Sequence, residues 1–463
     1  MATSSFGEKS AGLEEAPPGP TGAAESEAGE NTPGSEFGAR TKTMDFIQDQ
    51  VLTLIEPAIA IRLNQEALST RVDELVSRIA GQHRLLLNEM EQRSIGARIV
   101  DDMIGLGPLE PLLRDDTVAD IMINGAKTIY VERRGKLVLT SLHFRNDAHV
   151  MHVAQRIASS VGRRVDESSP MLDARLADGS RVNVIIAPLS LKGPCISIRK
   201  FSHSIMRFSR FVELGSVSLD LARALEIAAR CRLNIIISGG TGSGKTTLLN
   251  ALSAMIDHGE RIVTIEDAAE LQLQQPHVIQ LETRPPNIEG FGEINQRDLV
   301  RNALRMRPDR IIVGEVRGPE AFDMMQAMNT GHNGSMSTVH ANSARDAIAR
   351  IENMMLMASV NLPIRAIRSQ ITSAVDIIIQ TERMRDGVRR VTEVAEVAGA
   401  EEDIISLGGL FAYRYLGENA DGSLRGVFER RGGRPRFMTR IEYYGLGAAF
   451  KEAIGSGTDE VAT

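Results

Sequence analysis

The sequence predicts an α/β fold built on a parallel sheet, preceded by a smaller α/β domain and, before that, by an N-terminal helical bundle. Three observations carry this. From about residue 226 onward, short apolar strands alternate with helical patterns, as crossover helices between parallel strands require. One such strand, Leu233–Ser238, runs into a glycine-rich loop and then into an amphipathic helix opening with Leu248-Leu249 and Ala251-Leu252. Between residues 44 and 104, apolar residues fall instead near helical spacing, as at Val72, Leu75, Val76 and Ile79.

Taken in order, residues 1–43 form an acidic tail rich in Gly, Ala, Ser, Pro and Glu. Its few large apolar groups cannot offset the entropy of ordering it, so it is expected to be disordered. Residues 44–104 follow as the bundle, with Val51, Leu54, Ile55, Ile59, Ile61 and Leu63 near helical spacing and Pro57 dividing the stretch. Residues 105–205 have strand candidates at 121–123, 129–132, 136–139, 182–186 and 195–199, and a helix at 148–161. Asp178-Gly179 supplies a turn between 173–176 and 181–186. Residues 202–215 look like a linker, with 206–225 leading into the large domain at 226–463.

The 463 residues exceed one ordinary core, and 42% apolar with 24% charged residues fits a globular protein. Of the net charge of −7, the first 40 residues hold −5, with seven Glu against Lys9 and Arg40. The near-neutral remainder lacks the positive field of a dedicated nucleic-acid binder, and 4% aromatics without Trp argues against a base-stacking surface. No nucleic-acid partner is therefore expected. Cys195 and Cys231 have no metal-ligand spacing and read as small buried hydrophobes in a reducing cytoplasm. No apolar run approaches a bilayer span and no secretory signal is expected, so any membrane role is expected to pass through partners.

The chemistry sits in the loop Gly239, Gly240, Thr241, Gly242, Ser243, Gly244, Lys245, Thr246 and Thr247. It satisfies the phosphate-loop pattern through Gly239, Gly244, Lys245 and Thr246. Its glycines let backbone N–H groups curl toward phosphate oxygens, and the following helix offers unpaired N–H groups to the same anion. Lys245 can reach the β- and γ-phosphates, and the Thr246 hydroxyl can ligate Mg²⁺. ATP and Mg²⁺ are the expected cofactors.

Two later strands end in carboxylates, Arg261–Glu266 and Arg310–Glu315. Strand ends of an open parallel sheet face the ligand crevice, where Glu266 or Glu315 can hold Mg²⁺ through water or orient an attacking water. His340 ends a further apolar strand and becomes a candidate γ-phosphate sensor. Arg297, Arg301 and Arg305 lie four apart, as either a solvated face or arginines offered to phosphate.

These stretches resemble, in order, the Walker A, Asp box, Walker B and His box of the secretion and type IV pilus traffic ATPases. The segments are 239–250, Thr-Ile-Glu-Asp-Ala-Ala-Glu-Leu at 264–271, 301–318 and 330–342. The closest likeness is to the Tad/Flp pilus-assembly branch, the CpaF-like ATPases, and Ser168–Arg181 is similar to its N-terminal domain signature. The likeness covers roughly 44–395. It implies a RecA-like P-loop ATPase domain after a smaller α/β domain, in a homo-hexameric ring with nucleotide between the two. It also implies Glu315 as the main catalytic carboxylate, Glu266 assisting Mg²⁺ or water placement, and His340, with His332 second, as the γ-phosphate sensor. Arg175 and Arg181, with Arg199 as a third, would contact the phosphates. Implied partners are inner-membrane pilus platform proteins at the cytoplasmic face. The tetracysteine motif of some relatives is missing, so no structural zinc is implied.

Alternatives on the same residues are a nucleic-acid translocating ring ATPase, a type IV secretion ATPase, or a nucleotide-binding regulator without turnover. The basic stretch Arg425, Arg430, Arg431, Arg434, Arg436 and Arg440 is the feature the translocase would use.

Overall fold

The structure, a computed structural model, describes residues 33–55, 63–133, 135–201, 206–286, 291–358, 362–401, 404–455 and 457–460. They form two compact units divided at Glu110/Pro111.

The first unit contains helices Pro33–Leu54, Gln65–Gln82 and Glu89–Ile104. Asn64 starts the second by accepting from Ala67 N at 2.8 Å, and Asn88 starts the third in a reciprocal capping box with Glu91. Val51, Leu68, Val72, Leu75, Val76, Ile79, Ile95 and Ile99 form the shared core. The first helix begins at Pro33, so its opening turns occupy sequence expected to belong to the tail. Leu54, expected on the apolar face, is exposed. The tail through residue 32, and Pro57, Ile59 and Ile61, lie outside the described residues.

The second unit holds two sheets. The smaller consists of β1 (Val118–Asn124), β2 (Ile129–Arg133), β3 (Lys136–Leu139), β4 (Met171–Arg175), β5 (Arg181–Ile185) and β6 (Cys195–Arg199). Its order is β3-β2-β1-β6-β5-β4 and every pairing is antiparallel. The expected helix at 148–161 is found as Asp147–Ser160, capped by Asn146.

The larger sheet consists of β7 (Ile235–Gly239), β8 (Ile262–Glu266), β9 (Val278–Glu282), β10 (Arg310–Val316), β11 (Met336–Val339), β12 (Ile377–Arg383), β13 (Arg389–Glu401), β14 (Ile404–Glu418), β15 (Leu424–Arg430) and β16 (Gly457–Glu460). Its order is β16-β15-β14-β13-β12-β7-β11-β10-β8-β9. From β12 through β9 the pairings are parallel, and β13 to β16 add an antiparallel extension.

Apolar cores cover both faces, which explains the unbroken apolar strands. Along β7, Ile235 and Ile237 enter one core with Leu225, Leu248 and Phe411, whereas Ile236 enters the other with Val263, Val313 and Met324. The expected linker is only partly one. Residues 202–205 lie outside the described set, but Phe208–Glu213 is a helix whose Phe208 and Phe211 are buried in the first of these cores. Among the described residues, no helix is long and apolar enough to cross a membrane.

Candidate active site

Parallel pairing brings the carboxyl ends of β12, β7, β11, β10, β8 and β9 to one edge in that order. Register pairs Thr381 with Gly239, Ser238 with Val339, Val339 with Val316, and Glu266 with Glu282. The glycine loop, His340, Glu315 and Glu266 are therefore neighbours along this edge.

The loop has the backbone that phosphate binding needs. Gly242 and Gly244 adopt φ of 69° and 95°, conformations open to glycine. Gly244 begins helix Lys245–Ser253 with no side-chain cap, leaving its first N–H groups for an anion. Lys245 Nζ donates to the carbonyls of Gly239 at 2.9 Å and Gly240 at 2.8 Å. Burial lowers the Lys245 pKa, an effect opposed by Glu315 and reinforced by Arg317 and Arg199. Thr246 and Thr247 are half-buried beside Lys245. These residues fit a nucleoside triphosphate.

Glu266 is only 4% exposed. Its Oε1 accepts from Glu270 N at 2.8 Å and Leu271 N at 3.1 Å, while Oε2 is buried with no hydrogen-bond partner among the described residues. Burial pushes its pKa up to about 7, against the lowering effect of those two backbone bonds. An orphaned carboxylate oxygen on this edge fits a Mg²⁺ or its water. Glu315 Oε2 accepts from Arg317 Nε at 3.0 Å and Nη2 at 2.5 Å, and Arg317 Nη1 lies 3.5 Å from Asp267 Oδ2. His340 is half-buried directly after β11, whereas His332 Nδ1 lies 3.2 Å from Ala327 O, at the end of helix Glu320–Asn329.

The smaller sheet contributes a cross-strand row of charged residues. Register pairs Glu132 with Asp120, Asp120 with Arg199, Arg199 with Arg181, and Arg181 with Arg175. Directly opposed residues share a face, so five charges span five strands. Arg175 binds Glu282 at 2.9 Å and the Ala269 carbonyl, and Arg181 binds Glu270 at 2.9 Å. Arg199 is held by Asp120 at 3.1 Å. All five line a cleft of about 1200 Å³ together with Asp267, Glu282 and Arg317. Arg175 and Arg181 thus reach the segment that follows β8, while Arg199 stays with Asp120 on the smaller sheet. A second cavity of about 440 Å³ touches Gly244, Thr247 and Leu248 and is closed by Phe211, Arg389 and Val391.

Other expectations fare differently. Arg297 and Arg301 both bind Asp323, at 2.7 and 3.0 Å, so that face is committed to a neighbouring helix rather than to phosphate. In the basic stretch, Arg430 binds Asp220 and Arg440 binds Asp376, each at 2.6 Å, whereas Arg425, Arg431, Arg434 and Arg436 are exposed. Cys231 is buried with its thiol pushed up to about 11 by burial, while Cys195 is only half-buried. Sequence reasoning missed Asp120, Glu132, Glu270, Glu282 and Arg389, whose partners lie far along the chain. Arg317 lies within the 301–318 segment, and its position two residues after Glu315 is the sequence signal for it.

The family described as "Type II/IV secretion system protein" matches residues 102–400. A Mycobacterium tuberculosis protein named "Putative conjugal transfer protein" is 37% identical over 325 residues, covering 69% of this chain and 92% of that protein. The conjugal transfer protein TrbB of Rhizobium radiobacter is 34% identical over 290 residues, covering 62% and 86%. Among solved structures, the VirB11 ATPase of the Brucella suis type IV secretion system, in complex with sulphate, is 26% identical with a TM-score of 0.34, covering 62% of this chain and 95% of that one. With the family matching well over half of its length, the chain belongs to the type II/IV secretion system family and is an ATPase of it.

Proposed function

We propose that this chain is the Mg-ATP-hydrolysing motor of a Tad/Flp-type pilus-assembly or protein-secretion apparatus, working as a homo-hexamer at the cytoplasmic face of the inner membrane. One observation carries hydrolysis: the glycine loop, His340, Glu315 and Glu266 follow neighbouring strands on one sheet edge. Lys245 and the N–H groups opening its helix bind the β- and γ-phosphates. The Thr246 hydroxyl and, through water, Glu266 would hold Mg²⁺, which would supply charge neutralisation to the bound triphosphate. Glu315, once released by Arg317, orients the attacking water and accepts its proton. His340 senses the γ-phosphate. Arg175 and Arg181 exchange their acidic partners for phosphate oxygens as the two sheets approach. The resulting change of angle, repeated around a ring, turns against a membrane platform protein.

Support for the pilus rests on the motif likeness. A second reading, a conjugal-transfer or type IV secretion ATPase, is favoured by the TrbB relative. Glu315→Gln should bind ATP but release phosphate about 10²–10⁴-fold more slowly; unchanged release removes Glu315 from its role. A pull-down from inner-membrane extract with non-hydrolysable ATP separates the two systems. Recovery of a pilus platform protein supports the first, and recovery of DNA-processing proteins alone supports the second.

A further inference from the structure

We propose that Glu132 is a positioning residue for ATP hydrolysis, shaping the glycine loop through Arg389 and tying that shape to the charged row of the smaller sheet. The inference rests on the reading that the loop holds the ATP phosphates.

Arg389 Nε donates to the Gly242 carbonyl at 2.8 Å. Its Cδ lies 3.2 Å from where a Cβ at Gly244 would stand, so the side chain runs along both positive-φ glycines. In a trans peptide the carbonyl of Gly242 and the N–H of Ser243 point in opposite directions. Holding the carbonyl outward therefore turns the Ser243 N–H into the loop, where it donates to Gly240 O at 3.4 Å. A phosphate oxygen entering the loop needs that N–H direction.

Arg389 is itself restrained. Its Nη2 lies 3.4 Å from Glu132 Oε1, and Arg383 Nη1 lies 3.5 Å from Glu132 Oε2. The Glu132 side chain is 13% exposed, so this shared carboxylate works where water screens it poorly. The two turns that carry these groups abut: a Cβ at Gly135 would stand 3.2 Å from the Gly387 carbonyl. Without Glu132, the Arg389 side chain, 43% exposed, is free to turn its guanidinium to solvent or to phosphate, and the Gly242 carbonyl loses its anchor.

Glu132 also ends the row that runs through Asp120 and Arg199 to Arg181 and Arg175. At the far end, Arg181 and Arg175 grip the segment after β8. Movement of the smaller sheet therefore pulls on both walls of the phosphate site at once, at the glycine loop through Glu132 and at the Asp box through the arginines.

The test is steady-state ATP hydrolysis by the full chain. Glu132→Ala is expected to raise KM for ATP about five- to fifty-fold with kcat changed less than about threefold, the pattern of lost ground-state positioning. Arg389→Ala should do the same, and the double variant no more than either alone. Glu132→Asp, keeping the charge, should recover part of the affinity. An unchanged KM in Glu132→Ala, or full additivity with Arg389→Ala, overturns the proposal, and so does a lowered melting temperature at unchanged KM. Lys245→Ala separates the underlying reading. If it leaves ATP binding intact, the loop does not hold the phosphates. If it abolishes binding while Glu132→Ala does nothing, only the positioning role falls.

Discussion

Gly314 on β10 leaves the space that Glu266 on β8 fills: a Cβ at Gly314 would stand 2.9 Å from Glu266 Cγ and 3.3 Å from its Oε1. The strands are paired so that Val313 opposes Ile265, which sets Gly314 beside Glu266. The glycine before Glu315 thus has a steric cause in the neighbouring strand rather than in its own backbone.

Gly314→Ala is expected to displace Glu266 from the bonds it accepts from Glu270 and Leu271. Overpacking of this kind costs about 1–3 kcal/mol. Turnover should fall as well if Glu266 helps to place Mg²⁺ or water, as the proposed function has it. Phosphate release compared with urea unfolding checks this. A fully active alanine variant would show that Glu266 does not need this seat.

The buried Glu266 gives folding a specific pH dependence. Its folded pKa of about 7 lies above its ordinary value of 4.5, because burial disfavours the charge. The folded state therefore binds more protons between these values. The resulting stability is fully present below about pH 4.5 and is lost as pH rises through about 7, on the order of 3 kcal/mol in all. Glu266→Gln removes this dependence. Unfolding of nucleotide-free protein at pH 5 and pH 8 should therefore differ more for the wild type than for the variant, and equal differences refute the assignment.

Arg181 binds Glu270 where both side chains keep substantial solvent contact, at 40% and 29% exposure. Exposed pairs contribute about 0–1 kcal/mol. Arg181→Ala should therefore leave the melting temperature nearly unchanged while lowering kcat by at least about tenfold, if the guanidinium moves to phosphate in the transition state. Parallel losses of stability and rate would make it a structural bridge alone.

The legible and illegible parts of the site divide by sequence distance. The glycine loop, Glu266, Glu315 and His340 each end or follow a short apolar strand, so local pattern and the parallel-sheet rule placed them together. Arg175, Arg181 and Arg199 needed the family likeness, and nothing local pointed to Glu270, Glu282 or Asp120 as their partners. Arg297 and Arg301 form a plausible phosphate-binding face until Asp323, on another helix, is brought against them. The antiparallel extension β13 to β16 escaped for a related reason: its strands pair with one another at a sheet edge, where mixed polarity replaces the unbroken apolar runs of the parallel strands.

Arg310 opens β10 at the edge opposite Glu315 and is 0% exposed. Its Nε and Nη2 donate to the two oxygens of Glu260 at 2.7 and 2.8 Å, and Nη1 donates to the Ala229 carbonyl at 2.8 Å. Arg310→Met keeps the apolar stem but strips the Glu260 carboxylate, 14% exposed, of its bidentate partner, and losing one partner of a fully buried pair costs about 3–5 kcal/mol. Arg232, 3.0 Å from the same carboxylate, still offers one contact, which places the expected loss near the lower figure. Urea unfolding should show a lower midpoint at unchanged slope, the mark of altered stability without altered compactness. Because the substitution lies at the amino end of the strand, KM for ATP should stay within about twofold at temperatures where the variant is folded. A large rise in KM under those conditions would mean that the two ends of β10 are mechanically coupled.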